Sequence, residues 1–337
     1  MKVLITAPGF EDVADILREI ADVEFTFDTM GRSYTEAELT RAVSGLDGVI
    51  VWIDPMTSEA IEAAGPRLKV IGVPRAGYDN VDVTAATRFG VPVVYAPGAN
   101  AVAVADFTIG LLLALNRGIA KAHMRLKTGS WTARWAMGNG SNLEGKTLGI
   151  LGLGNVGCRV ALRAQAFGMA LMAYDPYLTD DTMTALGLFP RELLVTLVDL
   201  PTLLKKADFI TLHLPVTQQT LKMLGEAELS SMKPTAYVIN TARGGLIDEN
   251  ALLHALQQGR IAGAALDVFE REPLDPQHPL LALDNVIVTP HIAWCTQESL
   301  RRVNTIVARE VTNILTGHMP NLRYLANPEV LRQARSG

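Results

Sequence analysis

The stretch TLGILGLGNVG at residues 147–157 indicates the fold more strongly than any other part of the sequence. Mostly apolar residues that suit a buried strand lead through three glycines directly into a helical pattern that reaches Phe167. In such a turn Gly152 permits the tight change of direction, Gly154 lets the backbone approach a pyrophosphate, and Gly157 lets helix and strand pack closely. The stretch therefore predicts the phosphate-binding turn of a dinucleotide-binding domain.

An acidic residue ends the next predicted strand. Asp175 follows Gly157 at about the 20-residue spacing at which a carboxylate binds the adenosine ribose hydroxyls and repels a 2′-phosphate. Because both features occur together, we expect NAD to be preferred over NADP. Asn155 and Val156 occupy the first turn of the helix, where the backbone favours an anion, and we include them among the cofactor-binding residues. The alternative is a plain glycine turn with a solvated aspartate.

Apolar runs alternate with helical patterns along the whole chain, which is typical of parallel sheets covered by helices on both faces. A first series of predicted strands comprises residues 2–7, 48–53, 68–73 and 91–95. A second series has the six-strand count of a doubly wound nucleotide domain and comprises residues 147–151, 171–174, 209–214, 237–240, 264–268 and 286–289. Between the series we expect a helix at residues 100–118 and a linker at 128–145, and we expect the helix at 297–316 to pack back on the first domain.

Composition bounds the class of protein. The chain has 337 residues, of which 49% are hydrophobic and 19% charged, so two folded domains are expected. The net charge of −5 includes no basic block, which argues against a nucleic-acid partner. The longest apolar stretch, residues 101–115, is shorter than the roughly 20 residues that a membrane span needs, so we expect a buried helix and no membrane partner.

Cys158 and Cys295 are the two cysteines of the sequence, and they lie far apart. Neither belongs to a CxxC or Cys/His pattern of the kind that zinc sites and redox pairs use. We therefore expect a cytoplasmic location and no metal site. The first residues, MKVLITAPG, form too short an apolar run for a signal peptide and suit a first core strand.

Three further polar residues each follow a predicted strand: Arg243, Glu272 and His291. Arginine offers a bidentate fork to a carboxylate, histidine can pass a proton near neutral pH, and a nearby glutamate would orient that histidine. Ligands of open α/β sheets bind at the carboxyl ends of strands, so the three residues can meet in one crevice. They suit reduction of a carbonyl beside a carboxylate, although each could instead be a surface or structural residue.

Several strings closely resemble the D-isomer-specific 2-hydroxyacid dehydrogenases, and they occur at residues 79–82, 152–157, 240–248, 265–273 and 289–291. That family includes phosphoglycerate dehydrogenases and glyoxylate and hydroxypyruvate reductases. The resemblance implies an α/β fold of two doubly wound parallel-sheet domains. A Rossmann NAD domain at residues 100–290 would be inserted into a flavodoxin-like substrate domain built from residues 1–99 and 291–337. It also implies a small 2-oxo or 2-hydroxy acid as substrate, with glyoxylate and hydroxypyruvate as the first candidates.

The resemblance also assigns roles residue by residue. His291 would be the general acid/base, Glu272 its partner, and Arg243 the group that holds and polarises the 2-oxo acid. Asp267 matches the family's anchor for the nicotinamide carboxamide. The remaining expected cofactor-binding residues, some of which could instead form core turns, are His213, Leu214, Pro215, Thr220, Thr241 and Ala242, together with Arg243 and His291 themselves.

The sequence departs from the common family pattern in the loop before Asp79. That loop is usually a glycine-rich turn whose backbone N–H groups hold the substrate carboxylate, whereas residues 73–78 read VPRAGY here. We place Arg75, Ala76 and Gly77 at the substrate. Arg75 replaces a glycine in this loop. It either provides a positive charge for a substrate phosphate, as a 3-phosphoglycerate dehydrogenase would need, or for a second carboxylate. Alternatively, it is a salt-bridged structural residue.

Other strings, at residues 161–168, 174–178 and 291–294, look more like the branch that contains the C-terminal-binding-protein co-repressors. That similarity raises an alternative, a scaffold that senses NAD and docks peptides without turning over a substrate. The intact residue triad and the lack of a long low-complexity tail favour the enzyme.

The resemblance implies a homodimer formed largely by the NAD domains and the helix from residue 100. In dimeric relatives the linker crosses to the neighbouring subunit, and two tryptophans lie in it here. Trp135 either caps the partner's pocket, or it belongs with Trp131 to an interface core.

Overall fold

The computed structural model describes residues 1–19, 24–27, 32–131, 140–178 and 193–333. The chain divides into two compact units, unit 1 with Met1–Asn100 and Cys295–Gly337, and unit 2 with Ala101–Trp294. Within unit 2 the backbone of residues 291–293 is bonded to Asp267. Trp135 lies outside the described residues.

The strands form two parallel sheets, one in each unit. In chain order they are β1 (Lys2–Ile5), β2 (Glu24–Phe27), β3 (Gly48–Ile50), β4 (Val70–Val73), β5 (Val93–Tyr95), β6 (Thr147–Leu151), β7 (Ala170–Tyr174), β8 (Thr196–Leu197), β9 (Phe209–Leu212), β10 (Tyr237–Asn240), β11 (Gly263–Leu266) and β12 (Val286–Val288).

The α-helices in chain order are α1 (Ala14–Leu17), α2 (Glu36–Ala42), α3 (Ser58–Ala64), α4 (Val83–Arg88), α5 (Ala101–Asn116), α6 (Ile119–Lys127), α7 (Asn155–Ala166), α8 (Leu200–Lys206), α9 (Glu226–Ser231), α10 (Glu249–Gln257), α11 (Gln297–Leu315) and α12 (Val330–Gln333). Short 3-10 helices lie at Phe10–Val13, Gly65–Arg67, Gly244–Leu246, Pro279–Ala282 and Leu322–Tyr324.

Unit 1 has the strand order β2-β1-β3-β4-β5, which is the flavodoxin-like order. Apolar side chains are buried on both faces of this sheet, as two separate clusters. The helix α11 supplies Val303, Val307 and Val311 to one of them, together with Val3 and Ile5 of β1. The predicted return of this helix to the first sheet is therefore observed.

Unit 2 has the order β8-β7-β6-β9-β10-β11-β12, with all of its described strand pairs parallel. This is the doubly wound order of a dinucleotide-binding fold with one further strand, and the direction of winding reverses between β6 and β9. Apolar clusters again cover both faces. The long helix α5 is largely buried in one of them, against α7 and the sheet.

The sequence-based prediction missed three elements. The strand β2 is half-exposed and β8 is two exposed residues long, so neither contains the continuous apolar run that marks the buried strands. Unit 2 accordingly has seven strands where six were expected. The expected single helix ending at residue 118 is instead α5 followed by α6, because Gly118 adopts a left-handed backbone conformation with a φ of 60° between them.

No single helix in the described part of the chain is both long and apolar enough to cross a membrane, although α5 and α6, bent by 63°, meet the length and composition criteria as a pair.

We expect the substitution Gly157→Ala to destabilise unit 2 by about 1–3 kcal/mol or more. A Cβ at Gly157 would lie 2.0 Å from the carbonyl oxygen of Gly152, so the turn or the helix would have to shift. Thermal unfolding measures the effect.

The matched control is Gly110→Ala in α5, where no described atom lies within 4 Å of the added Cβ. Removing a helix-interior glycine there should stabilise the fold by about 0.5–1 kcal/mol. Equal shifts in Tm for the two variants would contradict this account.

Candidate active site

The ends of the strands in unit 2 are aligned in register. Leu151 at the end of β6 is paired with Tyr174 of β7 and with Leu212 of β9. Leu212 is in turn paired with Asn240 of β10, which is paired with Leu266 of β11. The residues that follow these strands therefore lie along one edge of the sheet. Most of the residues predicted for cofactor binding and catalysis come from those segments.

The glycine-rich turn has the predicted geometry. Gly152 has a φ of 93°, a left-handed conformation that favours glycine, and its N–H donates to the Tyr174 carbonyl at 2.9 Å. Gly154 precedes the first residue of α7, so the amino end of that helix opens at the turn. A Cβ at Gly154 would meet no described atom within 4 Å, which leaves space beside the turn for a ligand.

Asp175 is held against this turn. One of its carboxylate oxygens accepts a hydrogen bond from the Leu153 N–H at 3.0 Å, and the other accepts from the Tyr177 N–H at 3.0 Å. The acid thus lies at the carboxyl end of β7, beside the glycines, where a ribose-binding carboxylate is found in dinucleotide-binding folds.

His213 follows β9 and closes the other side of the turn, since a Cβ at Gly152 would lie 2.9 Å from the His213 carbonyl. Its Nε2 lies 2.9 Å from the Thr211 hydroxyl, whereas its buried Nδ1 has no hydrogen-bond partner among the described residues. Burial lowers the pKa of His213 to about 3, so the ring is neutral at physiological pH. A buried polar atom without a partner at this position fits a site that is completed by a ligand.

Hydrogen bonds shape the two segments that continue the crevice. The Thr220 hydroxyl donates to the Pro215 carbonyl at 2.7 Å and accepts from the Thr217 N–H at 2.8 Å, which folds the loop after Leu214. The Thr241 hydroxyl lies 2.8 Å from that of Thr108 on α5. Ala242 donates its N–H to the Asn240 side chain at 3.0 Å. Together with the glycines and Asp175, these residues could hold an extended dinucleotide along the sheet edge.

His291 and Glu272 are in direct contact. The His291 Nδ1 lies 2.7 Å from a Glu272 carboxylate oxygen, and the other carboxylate oxygen accepts from the Phe269 N–H at 3.0 Å. Burial works against ionisation of Glu272, but the bonds from His291 and Phe269, with the charges of His291 and Arg243, hold the pKa of this carboxyl below its ordinary value. An ionised carboxylate can only accept, so the His291 Nδ1 carries the hydrogen and the Nε2 is left to exchange a proton.

Asp267 organises the turn that carries His291. This fully buried carboxylate accepts hydrogen bonds from the Thr289 hydroxyl at 2.6 Å, the Ile292 N–H at 2.9 Å and the Ala293 N–H at 2.8 Å. His291 itself has a φ of 55°, which is uncommon for a residue with a side chain. The resemblance assigned Asp267 only to the cofactor, and its role in this turn was missed, because bonds between loops about 25 residues apart leave no local pattern in the sequence.

Arg243 lies in the segment between β10 and the next 3-10 helix. Its carbonyl accepts from the Asn240 side chain at 2.9 Å, and its guanidinium donates to the Ala242 carbonyl at 2.7 Å. The charge of Arg243 is among the causes that lower the pKa of Glu272. Gly244, next to Arg243, lies against the backbone of Phe269, so the Arg243 segment adjoins the loop that carries Glu272 and its partner His291. In the described part of the chain, no group of three or more His, Cys, Asp or Glu side chains could hold a metal ion.

The expected substrate loop belongs to unit 1 and follows β4. The Arg75 guanidinium lies 5.9 Å from the centre of the Trp52 ring and donates to the Trp52 carbonyl at 3.4 Å. Two hydrogen bonds fix the Arg75 backbone. The Arg75 N–H donates to the Val73 carbonyl at 2.7 Å, and the Arg75 carbonyl accepts from the Ala96 N–H at 2.8 Å. Ala76 and Gly77 continue the same loop and are both partly buried.

A glycine-rich turn, an acid beside it and a His–Glu pair at the same sheet edge define a dinucleotide-binding protein equipped for proton transfer. Comparison with known proteins supports this assignment to dinucleotide-binding proteins. A sequence profile described as "D-isomer specific 2-hydroxyacid dehydrogenase, NAD binding domain" matches residues 109–293. The chain belongs to the D-isomer-specific 2-hydroxyacid dehydrogenase family, and unit 2 carries the NAD-binding domain of that family.

Similar proteins include two named enzymes and a solved structure. The D-3-phosphoglycerate dehydrogenase of Methanocaldococcus jannaschii is 42% identical over 330 residues, which cover 96% of this chain and 60% of that protein. The glyoxylate reductase of Thermofilum pendens is 40% identical over 334 residues, which cover 98% and 96%. The D-lactate dehydrogenase of Aquifex aeolicus, solved with NAD and lactic acid, is 30% identical with a TM-score of 0.80 and coverages of 94% and 96%. The chain thus spans only about 60% of the length of some phosphoglycerate dehydrogenase relatives.

We expect His213 to remain neutral in the folded protein between pH 5 and pH 8. The unfolded chain takes up a proton at this residue near pH 6.5, whereas the buried ring does so only near pH 3. Its contribution to stability is therefore fully present above about pH 6.5 and is lost as the pH falls from there towards 3. Histidine NMR resonances can be assigned through His213→Gln. A titration of the His213 ring with a midpoint between pH 5 and 8 would contradict the burial argument.

Proposed function

We propose that the protein is an NAD-dependent D-2-hydroxyacid dehydrogenase that interconverts a D-2-hydroxy acid and its 2-oxo acid. The observation that carries this proposal is the 2.7 Å contact between His291 and Glu272, in the same unit as the glycine-rich turn. A charged carboxylate bound to one imidazole nitrogen orients the ring for proton transfer through the other, which is the requirement of carbonyl reduction near neutral pH.

Bound NADH supplies the hydride that adds to C2 of the 2-oxo acid. The chain supplies the proton. As negative charge develops on the carbonyl oxygen, the Nε2 of protonated His291 donates a proton to that oxygen. Before this transfer, Glu272 stabilises the positive charge of the protonated ring. In the oxidative direction the neutral ring would accept the hydroxyl proton, and NAD, when bound, would be the hydride acceptor. Asp267 keeps the His291 turn in place through its bonds to residues 289–293.

Arg243 is proposed to bind the substrate carboxylate and to polarise the neighbouring carbonyl. A guanidinium forms two parallel hydrogen bonds to a carboxylate, which fixes the acid in one orientation. The close approach of Gly244 to Phe269 supports this assignment, because it places the Arg243 segment beside the loop that carries Glu272. The nicotinamide carboxamide remains a further proposed partner of Asp267.

The proposed preference for NAD over NADP depends on Asp175. Its carboxylate already accepts bonds from the Leu153 and Tyr177 N–H groups, which hold it at the end of β7. An ionised carboxylate at that place accepts hydrogen bonds from ribose hydroxyls and repels a 2′-phosphate.

The enzyme should oxidise NADH in the presence of a small 2-oxo acid, and His291→Ala should lower kcat by about 10²- to 10⁴-fold. Glu272→Gln should cause a smaller loss, since an amide can still accept from Nδ1 but cannot stabilise the charged ring. The measurement is NADH absorbance with glyoxylate, hydroxypyruvate, pyruvate, phenylpyruvate and 3-phosphohydroxypyruvate.

Two controls accompany this assay. NADH fluorescence titration should show unchanged cofactor binding in His291→Ala, and His318→Ala on the exposed surface should retain full activity. Turnover that survives in His291→Ala would contradict the assigned role. Tight NADH binding without turnover of any acid would favour the NAD-sensing scaffold.

For the substrate we propose glyoxylate, hydroxypyruvate or a related small 2-oxo acid, in line with the similarity to a glyoxylate reductase along almost the whole of both chains. The second candidate is 3-phosphoglycerate. It is favoured by a cationic residue in the expected substrate loop, Arg75, and by the similarity to phosphoglycerate dehydrogenases. The contact between Arg75 and Trp52 equally suits an arginine that only stabilises the loop.

The substitution Arg75→Ala distinguishes a substrate-binding role of Arg75 from a structural one. If the guanidinium binds a phosphate, we expect KM for 3-phosphohydroxypyruvate to rise about tenfold or more, with little change for glyoxylate. Arg75→Lys is the control, because it keeps the positive charge. Equal losses for all substrates, accompanied by a lower Tm, would show that Arg75 is structural.

The wider organisation is also part of the proposal. We take residues 1–99 and 291–337 as the substrate domain, residues 100–290 as the NAD domain, and the cytoplasm as the location. A homodimer is supported by α6, on one face of which Ile119 and Leu126, seven residues apart, are each more than half exposed, at 55% and 52%. Such a concentration of exposed apolar side chains is typical of a surface that a second chain covers.

A further inference from the structure

Two loops of the candidate active site are in direct backbone contact. Arg243 lies in the segment that leads from β10 to α10, and Glu272 lies in the loop after β11. A Cβ at Gly244 would be 1.9 Å from the carbonyl carbon of Phe269, so only glycine permits this approach. The spacing of the Arg243 and Glu272 segments therefore depends on how the two loops are joined.

A pair of glutamates joins the same two loops a few residues further on. The Glu270 N–H donates to the Glu249 carboxylate at 2.5 Å, and the Glu249 N–H donates to the Glu270 carboxylate at 3.1 Å. Each residue thus bonds the backbone of the other. Glu249 is the first residue of α10, and Glu270 comes two residues before Glu272. We call these two residues, with Lys222, the brace.

Lys222 balances the negative charge of the brace. Its Nζ lies 3.1 Å from the Glu270 carboxylate and 3.3 Å from the carboxylate of Asp248, the residue that caps α10. The ion pairs with Glu270 and Asp248 raise the pKa of Lys222. The Lys222 backbone has a φ of 52°. Its N–H donates to the carbonyl of Gly245, a residue of the Arg243 segment, at 2.7 Å.

Fold stability alone gives little reason for this arrangement. The side chains of Lys222 and Glu270 are 42% and 33% exposed, and ion pairs in such surroundings stabilise proteins by only about 0–1 kcal/mol. Residues with side chains are seldom held in the left-handed region unless their surroundings require it, and such residues cluster at functional sites. The brace is also linked to the proton-transfer pair, since Phe269, next to Glu270, donates its N–H to Glu272.

We propose that Lys222, Glu249 and Glu270 are positioning residues that hold the Glu272 loop against the Arg243 segment, so that the His291–Glu272 pair and the substrate-binding guanidinium keep a productive spacing. The three residues touch neither substrate nor cofactor in this account and act through Glu272 and Arg243. The inference rests on the proposed function for its kinetic consequence, while its structural consequence can be measured without turnover.

The kinetic test uses Lys222→Met and Glu270→Gln. We expect kcat/KM for the preferred 2-oxo acid to fall about 10-fold or more, since a misplacement of about 1 Å can cost on the order of 10²-fold in rate. The Kd for NADH should change less than twofold. Lys222→Arg should restore most of the activity. Glu249→Gln, which retains an oxygen for the Glu270 N–H, should lose less than Glu249→Ala.

The matched control is Arg260→Met, which removes an exposed cation from another ion pair of unit 2, 4.0 Å from Glu226. It should leave kcat/KM and NADH binding unchanged. Unchanged kinetics in both Lys222→Met and Glu270→Gln would overturn the proposal. A parallel loss of Tm and NADH binding in these variants, without rescue by Lys222→Arg, would also overturn it and indicate a purely structural role.

A measurement without turnover separates this inference from the proposed function. The imidazole Nδ1–H of His291 gives a downfield NMR signal when it is bonded to a carboxylate, and His291→Gln identifies that signal. In Lys222→Met and Glu270→Gln we expect it to shift and broaden, whereas Arg260→Met should not affect it. If the wild-type protein reduces no 2-oxo acid, the proposed function fails. The His291 Nδ1–H signal then tests by itself whether the brace positions Glu272. An unchanged signal would then overturn it.

Discussion

The candidate site depends on the buried carboxylate of Asp267. Three hydrogen bonds from residues 289–293 end on this one side chain, and they hold His291 in an uncommon left-handed backbone conformation. Held in that way, the His291 ring meets Glu272, which approaches from the loop after β11. A fully buried carboxylate without such donors would be strongly destabilising, so the charge of Asp267 and the geometry of the turn stabilise each other.

The protein holds two histidines in different surroundings at one sheet edge. His213 is partly buried with an inaccessible Nδ1, and its desolvation keeps the ring neutral. His291 is partly exposed and is bonded to a carboxylate whose pKa is held below its ordinary value. The first arrangement suits a polar atom of a binding surface, and the second suits an exchangeable proton. The strand register places both residues along the edge that the glycine-rich turn opens.

Much of this could be predicted from the sequence. The glycine turn, the acid after β7 and the buried strands each have a local signature, because strand burial and turn geometry restrict residue types at fixed spacings. The three residues of the triad have no such signature, and their predicted roles came from the family resemblance. The strands β2 and β8 lack that signature, since they are exposed at sheet edges. The anchoring role of Asp267 and the brace of Lys222, Glu249 and Glu270 are polar contacts between distant loops, and only the folded chain brings them together.

The stereochemistry of hydride transfer decides whether the chain is a D-2-hydroxyacid dehydrogenase. The protein would be incubated with hydroxypyruvate or glyoxylate and with NADH carrying deuterium at C4 of the nicotinamide, and the product would be analysed by mass spectrometry and chiral chromatography. We expect deuterium at C2 of the product and, from hydroxypyruvate, the D-isomer of glycerate alone. Formation of the L-isomer, or product without deuterium at C2 when each face of the cofactor is labelled in turn, would contradict it.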